Sequence, residues 1–191
     1  MVDAGGHTSY SSVVRLDSIR LLNVIAKAQG LEVLAGDVGN AYLNAETKEK
    51  VYTICGPEFG PELEGRIAII TKSLYGLKSS GACWHAHFAK TLYSLGFTPT
   101  RFDSNVWIQR RKDGSGYEYI STYVDDFLIT AKDPWLYMHR LQEIYMIKDP
   151  KTPDVYLGAT YIGGPSGDWG ITAREYIKEA IRQIEKRLGI T

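Results

Sequence analysis

The residues of this chain best able to do chemistry are acids placed at the ends of apolar, β-rich segments. Asp125 and Asp126 stand side by side in Tyr123-Val124-Asp125-Asp126, with Ile120 before them and Phe127 and Leu128 after. That pattern predicts a tight hairpin turn. Two carboxylates in such surroundings repel each other and each loses hydration. A plain solvated turn also accommodates the dipeptide, since Asp is a common turn residue. Asp37, in Gly36-Asp37-Val38-Gly39-Asn40-Ala41-Tyr42, ends another β-rich segment and offers a third carboxylate. Three acids at strand ends can converge on a divalent ion through oxygen ligands. Mg²⁺ takes one or two carboxylates together with waters and substrate phosphates. Two such ions about 3.5–4 Å apart clamp the attacking and leaving oxygens of a phosphoryl transfer.

The elements that must position these acids are legible from periodicity and punctuation. Asp17 is the expected N-cap of a helix carrying Leu21, Leu22, Ile25 and Ala28, closed by Gly30. Leu31 to Asp37 reads as a strand ending in a carboxylate. Val51 to Cys55 and Arg66 to Ile70 read as strands separated by a Gly/Pro turn region. Trp84, Phe88, Leu92 and Leu95 recur at helical spacing, and Gly96 ends that helix. Asn105–Gln109 and Tyr117–Tyr123 form a predicted hairpin around Lys112 to Gly116. Phe127 to Ala131 follows as a strand, then a helix from Pro134 to about Met146. Asp154–Ile162 and Trp169–Thr172 read as a second hairpin with Gly163 to Gly170 as its loop. Arg174 to Leu188 is an amphipathic helix with Tyr176, Ala180, Ile184 and Leu188 on one face. Antiparallel hairpins with helices packed on one face predict the α+β class, and the split β-α-β order of the ferredoxin-like fold fits.

Composition sets the outer limits. The chain has 191 residues, 44% apolar and 23% charged, which suits one folded domain rather than a disordered segment. Lysine plus arginine equals aspartate plus glutamate, 22 each, so net charge gives no reason to expect a polyanionic partner, although a local basic groove can coexist with acids. No apolar run approaches the roughly 20 residues of a membrane span, and no secretory leader pattern opens the sequence. Cys55 and Cys83 do not make a disulfide framework, and a reduced intracellular chain is the simpler reading. His85 and His87, two positions apart on a predicted helix, point to different faces. With Cys83 they lack a fourth zinc ligand and read as packing or surface residues. Arg110, Arg111 and Lys112 form a basic hairpin tip, and Arg182, Lys186 and Arg187 the wet face of the last helix.

From about Tyr10 to Leu188 the sequence resembles the reverse transcriptases of copia-type LTR retrotransposons. Tyr123-Val124-Asp125-Asp126 resembles the family's Y-x-D-D, and Asp37 to Tyr42 resembles its first catalytic motif. Ser73-Leu74-Tyr75-Gly76-Leu77-Lys78-Ser79-Ser80, with Trp84 beyond, resembles S-L-Y-G-L-K-Q-S-P-R-A-W, the most family-specific block. Ser12 to Arg20 resembles S-P-V-V-R-L-T-S-I-R, and Tyr156-Leu157-Gly158 the F-L-G that opens the primer-grip hairpin. Gly81 stands where the family block has Pro, and Ser79 where it has Gln.

The resemblance implies a polymerase palm with partial fingers over residues 13–191, about 43–90 forming a fingers-like insertion beside the nucleotide pocket, after a flexible or truncated segment 1–12. It implies an RNA-directed DNA polymerase, a nucleotidyltransferase using two Mg²⁺ or Mn²⁺ ions. Asp37, Asp125 and Asp126 would be catalytic. Asp37 and Asp125, with the backbone at Val38, would hold the metal, and Asp126 would support it less directly. Val38, Gly39, Asn40, Ala41, Tyr42, Tyr75, Gly76 and Lys148 would line the deoxynucleotide site. Backbone N–H groups of Val38, Gly39 and Asn40 would meet the triphosphate, and Tyr42 would lie under the sugar and exclude a 2′-hydroxyl. Core packing is the plain alternative for Tyr42, and a solvated lysine for Lys148. Tyr123, Val124, Leu157 and Gly158 would border the primer and template. Implied partners are an RNA or DNA template-primer, deoxynucleoside triphosphates and the thumb, RNase H and integrase regions of a polyprotein, with no membrane. The implied location is a cytoplasmic virus-like particle, with nuclear passage. A basic fingers strand that family members carry before the Ser12 block is expected to be missing, since Met1 to Tyr10 has no lysine or arginine. The second reading from the same residues is therefore a catalytically inactive palm that binds nucleic acid or a protein.

Overall fold

The computed structural model describes residues 11–157, 159–163 and 169–190. Among them are four α-helices and eleven strands, and the strand pairs are antiparallel. The α+β expectation holds at that level.

The central sheet joins six strands in the order β4-β5-β6-β7-β1-β8. They are β1 (Glu32–Val38), β4 (Thr98–Pro99), β5 (Val106–Arg110), β6 (Tyr117–Tyr123), β7 (Asp126–Ala131) and β8 (Ile147–Lys151). Alternation along β7 explains its place in the middle. Phe127, Ile129 and Ala131 enter one core with Trp84, Phe88 and Leu92 of α2 (Ser80–Ser94) and Tyr137, Met138 and Leu141 of α3 (Pro134–Gln142). Leu128 enters a second core with Ile19, Leu22 and Ala26 of α1 (Leu16–Gln29). The expectation of helices on one face is therefore corrected: α1 covers the opposite face from α2 and α3. The apolar run Phe127-Leu128-Ile129 foretells this, because a strand buried on both sides cannot alternate with polar residues.

Helix boundaries carry two further corrections. The first helix starts at Leu16 with Arg15 as its N-cap, and Asp17 lies in the first turn, where it pairs with Arg20 at 3.1 Å. The cap comes from a distant loop. The buried Asp103 carboxylate accepts from the Arg15 N–H (3.0 Å), the Ser18 hydroxyl (2.7 Å) and the Asn105 N–H (3.0 Å). Gly30 ends the helix at φ 59°, as its type predicts. The helix expected to reach Met146 stops at Gln142. Tyr145 is instead buried and hydrogen-bonded to Thr91 (2.6 Å), and the Met146 carbonyl accepts from the Gly39 N–H (2.8 Å), drawing the chain onto β1 as β8.

Two smaller sheets flank the central one. The ribbon of β2 (Glu46–Ile54) and β3 (Ile67–Lys72) begins earlier than expected and turns Tyr52, Ile54, Ile67 and Ile69 outward. The predicted strand Asp154–Ile162 is broken. Leu157 has φ 49°, and β9 (Val155–Tyr156) folds back on β10 (Ala159–Gly163), which pairs with β11 (Trp169–Thr172) in the expected hairpin. Gly158 and 164–168 of the expected loop lie outside the described residues. The last helix, α4 (Arg174–Leu188), buries none of its residues. Among the described residues no helix is long and apolar enough to cross a membrane.

Candidate active site

The sheet register brings the acids of two distant motifs together. Asp37, near the end of β1, lies directly across from Asp126, the first residue of β7. Tyr123 pairs with Asp126, so Val124 and Asp125 alone form the hairpin turn. One step beyond, the Val38 N–H donates to the Asp125 carbonyl at 2.9 Å. The three acids thus share one end of the sheet.

The turn is held in a costly shape. Val124 has φ 56°, a region that β-branched residues avoid. Its carbonyl accepts a 2.6 Å hydrogen bond from the indole N–H of Trp84, whose ring is buried between Phe88 and Tyr145. The tryptophan of the S-L-Y-G-L-K block therefore clamps the Y-x-D-D turn. Asn105 braces the strand behind it, since Thr122 donates its N–H to the Asn105 carbonyl (2.9 Å) and His85 bonds the Asn105 side chain (3.0 Å).

The electrostatics follow from this convergence. Burial first, then Asp125 and Asp37, push the Asp126 carboxyl above its ordinary range. Lys148 lies across from Asp37 on β8, with its ammonium 3.5 Å from the carboxylate and both side chains partly exposed. A cavity of about 200 Å³ opens here, lined by Asp37, Asp126, Lys148, Lys151 and Tyr156 among others. A larger groove of about 630 Å³ runs along β2 and β3, away from the acids.

Among the described residues no group of three His, Cys, Asp or Glu side chains is gathered closely enough to hold a metal ion. The donor chemistry nevertheless suits a hard divalent cation. The set is made of carboxylates, burial and then their mutual repulsion raise Asp126, and an ammonium already sits against Asp37.

Beyond the β1 acid the structure brings Tyr42, Tyr75 and Asp125 together. Tyr42 lies in the short 3₁₀ turn Ala41–Asn44, and its ring centre is 4.6 Å from that of Tyr75. Burial, then Tyr75 and Asp125, raise its hydroxyl pKa. Gly76 holds φ 97°, and Asn40 holds φ 52°. Gly39 is tightly placed, because a Cβ there would meet the Lys148 side chain and the Met146 carbonyl at 3.3 Å. One expectation is corrected. The N–H groups of Val38 and Gly39, read as facing a triphosphate, are bonded to the carbonyls of Asp125 and Met146. Main-chain ladder bonds claim them, which no local pattern reveals.

Leu157 packs against the second core rather than at the acids, and Gly158 lies outside the described residues. The neighbour passed over by sequence reasoning is Tyr156. It is buried, it lines the cavity with Asp37 and Asp126, and its hydroxyl has no partner among the described residues. The available signal was its identity, a tyrosine where the resembled block has Phe.

The sequence profile of the reverse transcriptase (RNA-dependent DNA polymerase) family matches residues 4–187. The chain belongs to the reverse transcriptase family. It is 28% identical over 177 residues to the retrovirus-related Pol polyprotein of transposon RE1 from Arabidopsis thaliana, covering 91% of this chain and 12% of that protein. It is 29% identical to the transposon Ty5-1 protein of Saccharomyces cerevisiae, over 78% of this chain and 49% of that protein. It is 34% identical to the Pol polyprotein of transposon TNT 1-94 from Nicotiana tabacum, over 66% of this chain and 10% of that one. The reverse transcriptase domain thus spans less than half the length of these relatives.

Proposed function

We propose that this chain is the palm, with partial fingers over about 43–90, of an RNA-directed DNA polymerase that extends a primer 3′-hydroxyl on an RNA or DNA template. The observation that carries the reading is the pairing of Asp37 with Asp126 across β1 and β7, with Asp125 in the adjoining turn. Strand order supports the palm architecture. The units β1-α2-β6 and β7-α3-β8 interleave as β8-β1-β7-β6 with every neighbouring pair antiparallel, the split β-α-β order of the ferredoxin-like fold.

In this reading the chemistry is in-line attack of the primer hydroxyl on the α-phosphate of a deoxynucleoside triphosphate. The protein contributes mainly position and charge neutralisation. Asp37 and Asp125, with the backbone at Val38, hold the site for two Mg²⁺ or Mn²⁺ ions, and Asp126 supports it. When bound, such ions neutralise phosphate charge and activate the attacking hydroxyl. Lys148 releases Asp37 and faces the leaving pyrophosphate. Tyr42, backed by Tyr75, forms the floor under the sugar, with Asn40, Ala41 and Gly76 shaping the approach. Tyr123 and Val124 border the primer terminus, steadied by the segment Tyr156-Leu157-Gly158. Template-primer is gripped through its phosphates, aided by the thumb and RNase H regions of a longer polyprotein.

The test is primer extension on an RNA template with deoxynucleotides and Mg²⁺ or Mn²⁺, beside Asp125→Asn. Extension that disappears in the variant is the expected result. Undiminished synthesis by the variant overturns the reading. Salt-sensitive template-primer binding with no incorporation by the wild type favours the inactive binding module.

A further inference from the structure

A second polar cavity, of about 470 Å³, shares no lining residue with the one at the acids. It lies where the base of the β2–β3 ribbon meets one stripe of α2. Lysines from three elements converge on it: Lys48 of β2, Lys72 of β3 and Lys90 of α2. Among the described residues none of the three is ion-paired. Glu46, across the ladder from Lys72, is the one acid in the lining, which leaves a formal charge of +2.

The α2 stripe explains residues that the polymerase reading leaves unused. Cys83 and His87, four positions apart, both face this cavity, whereas His85 turns away to Asn105. His87 is surrounded by Trp84 and Tyr145 on its core side and by Lys72, Lys90 and Glu46 on the other. Burial, then Lys72 and Lys90, lower its pKa against a smaller opposing effect of Glu46, which favours the uncharged imidazole. The same positive field opposes a metal cation on Cys83 and His87. Thr47 accepts the Glu49 N–H through its hydroxyl oxygen, leaving the hydroxyl proton to donate elsewhere.

We propose that this cavity is a binding site for a polyphosphate group. Three ammonium groups on separate elements, an imidazole and a threonine hydroxyl around one concavity match the charge of linked phosphates, and the volume is that of a small-ligand site. A free polyphosphate and a nucleic-acid backbone share this chemistry. The inference does not rest on the polymerase reading, since it requires no incorporation.

The test follows the His87 ring resonances of the full chain by NMR during titration with tripolyphosphate and, separately, with a single-stranded oligodeoxynucleotide. Wild type is compared with Lys72→Gln/Lys90→Gln and with Lys112→Gln on the β5–β6 turn as a control. All these lysines are exposed, so the fold is not at stake. The expected result is a saturable shift of His87, weakened about tenfold in the double variant and unchanged in the control. A response to tripolyphosphate, with or without one to the oligonucleotide, assigns the site to free polyphosphate, and one to the oligonucleotide alone assigns it to a nucleic-acid backbone. Both uphold the phosphate chemistry. No response to either ligand, or an equal response in the double variant, overturns the proposal.

Discussion

Replacing Trp84 by Phe separates the clamp on the acidic turn from simple packing. The indole is 1% exposed, and its N–H is 2.6 Å from the Val124 carbonyl. Phenylalanine keeps an aromatic ring beside Phe88 and Tyr145 but cannot donate. Leaving that carbonyl without its partner costs about 1–3 kcal/mol. Shrinking indole to phenyl removes roughly 40 Å³, which at about 24 cal/mol per Å³ adds about 1 kcal/mol. The sum, about 2–4 kcal/mol, is a large share of the roughly 5–15 kcal/mol that holds a domain of this kind. Urea unfolding reads it as a lower midpoint at an unchanged slope. His87→Ala is the control, since that ring leaves the Val124 hydrogen bond untouched and borders Trp84 and Tyr145 at 5.9 Å between centres in each pair, and its loss should cost about 1 kcal/mol. The clamp has a second consequence. Without it, Val124 can leave its positive φ, so primer extension should fall further than the folded fraction explains. A Trp84→Phe chain within about 1 kcal/mol of wild type would refute the reasoning, because the hydrogen bond would then carry no net weight.

Other expectations follow from the same geometry. Burial raises the Asp103 carboxyl, but hydrogen bonds from Arg15, Ser18 and Asn105 outweigh it and hold the pKa below its ordinary value. A depressed carboxyl contributes stability that is present above its unfolded pKa, about 3.9, and lost as pH falls through the lower folded value. Asp103→Asn should therefore cost about 2–3 kcal/mol at pH 7, with the gap from wild type closing below about pH 4. An equal gap at pH 7 and pH 3 in urea titrations would contradict this. In Gly36→Ala the new Cβ would meet the fully buried Phe127 ring at 2.5 Å and Ile147 at 3.0 Å, so a loss of about 1–3 kcal/mol is expected in thermal unfolding. Lys148→Met removes an ion pair whose partners are 57% and 38% exposed, worth at most about 1 kcal/mol. Its Tm should hardly move while primer extension drops at least about tenfold, and equal activity would leave Lys148 as a solvated lysine.

The sequence alone was enough to place the acidic turn. Paired acids between two apolar strand segments demand a turn, and the turn is there between β6 and β7. Glycines at the ends of helical periodicity closed α1 as read, because a left-handed residue is a local requirement. The S-L-Y-G-L-K block announced its family by residue identity. What the block does for the acids was not legible, since the contact from Trp84 to Val124 spans forty positions.

Tertiary structure decided everything that depends on which backbone groups find one another across the chain. The ladder register set Asp37 opposite Asp126, and Lys148 opposite Asp37 once Met146 was drawn to Gly39. It also claimed the N–H groups of Val38 and Gly39. A remote carboxylate, Asp103, moved the start of α1 ahead of the local cap signal at Asp17. The second core placed α1 on the far side of the sheet, because Leu128 and Phe127 point in opposite directions from adjacent positions. Periodicity and turn chemistry act over a few residues and survive in any sequence window. Pairing register, burial on two faces and capping from a distance are cooperative choices of the folded chain, fixed when many weak contacts are satisfied at once.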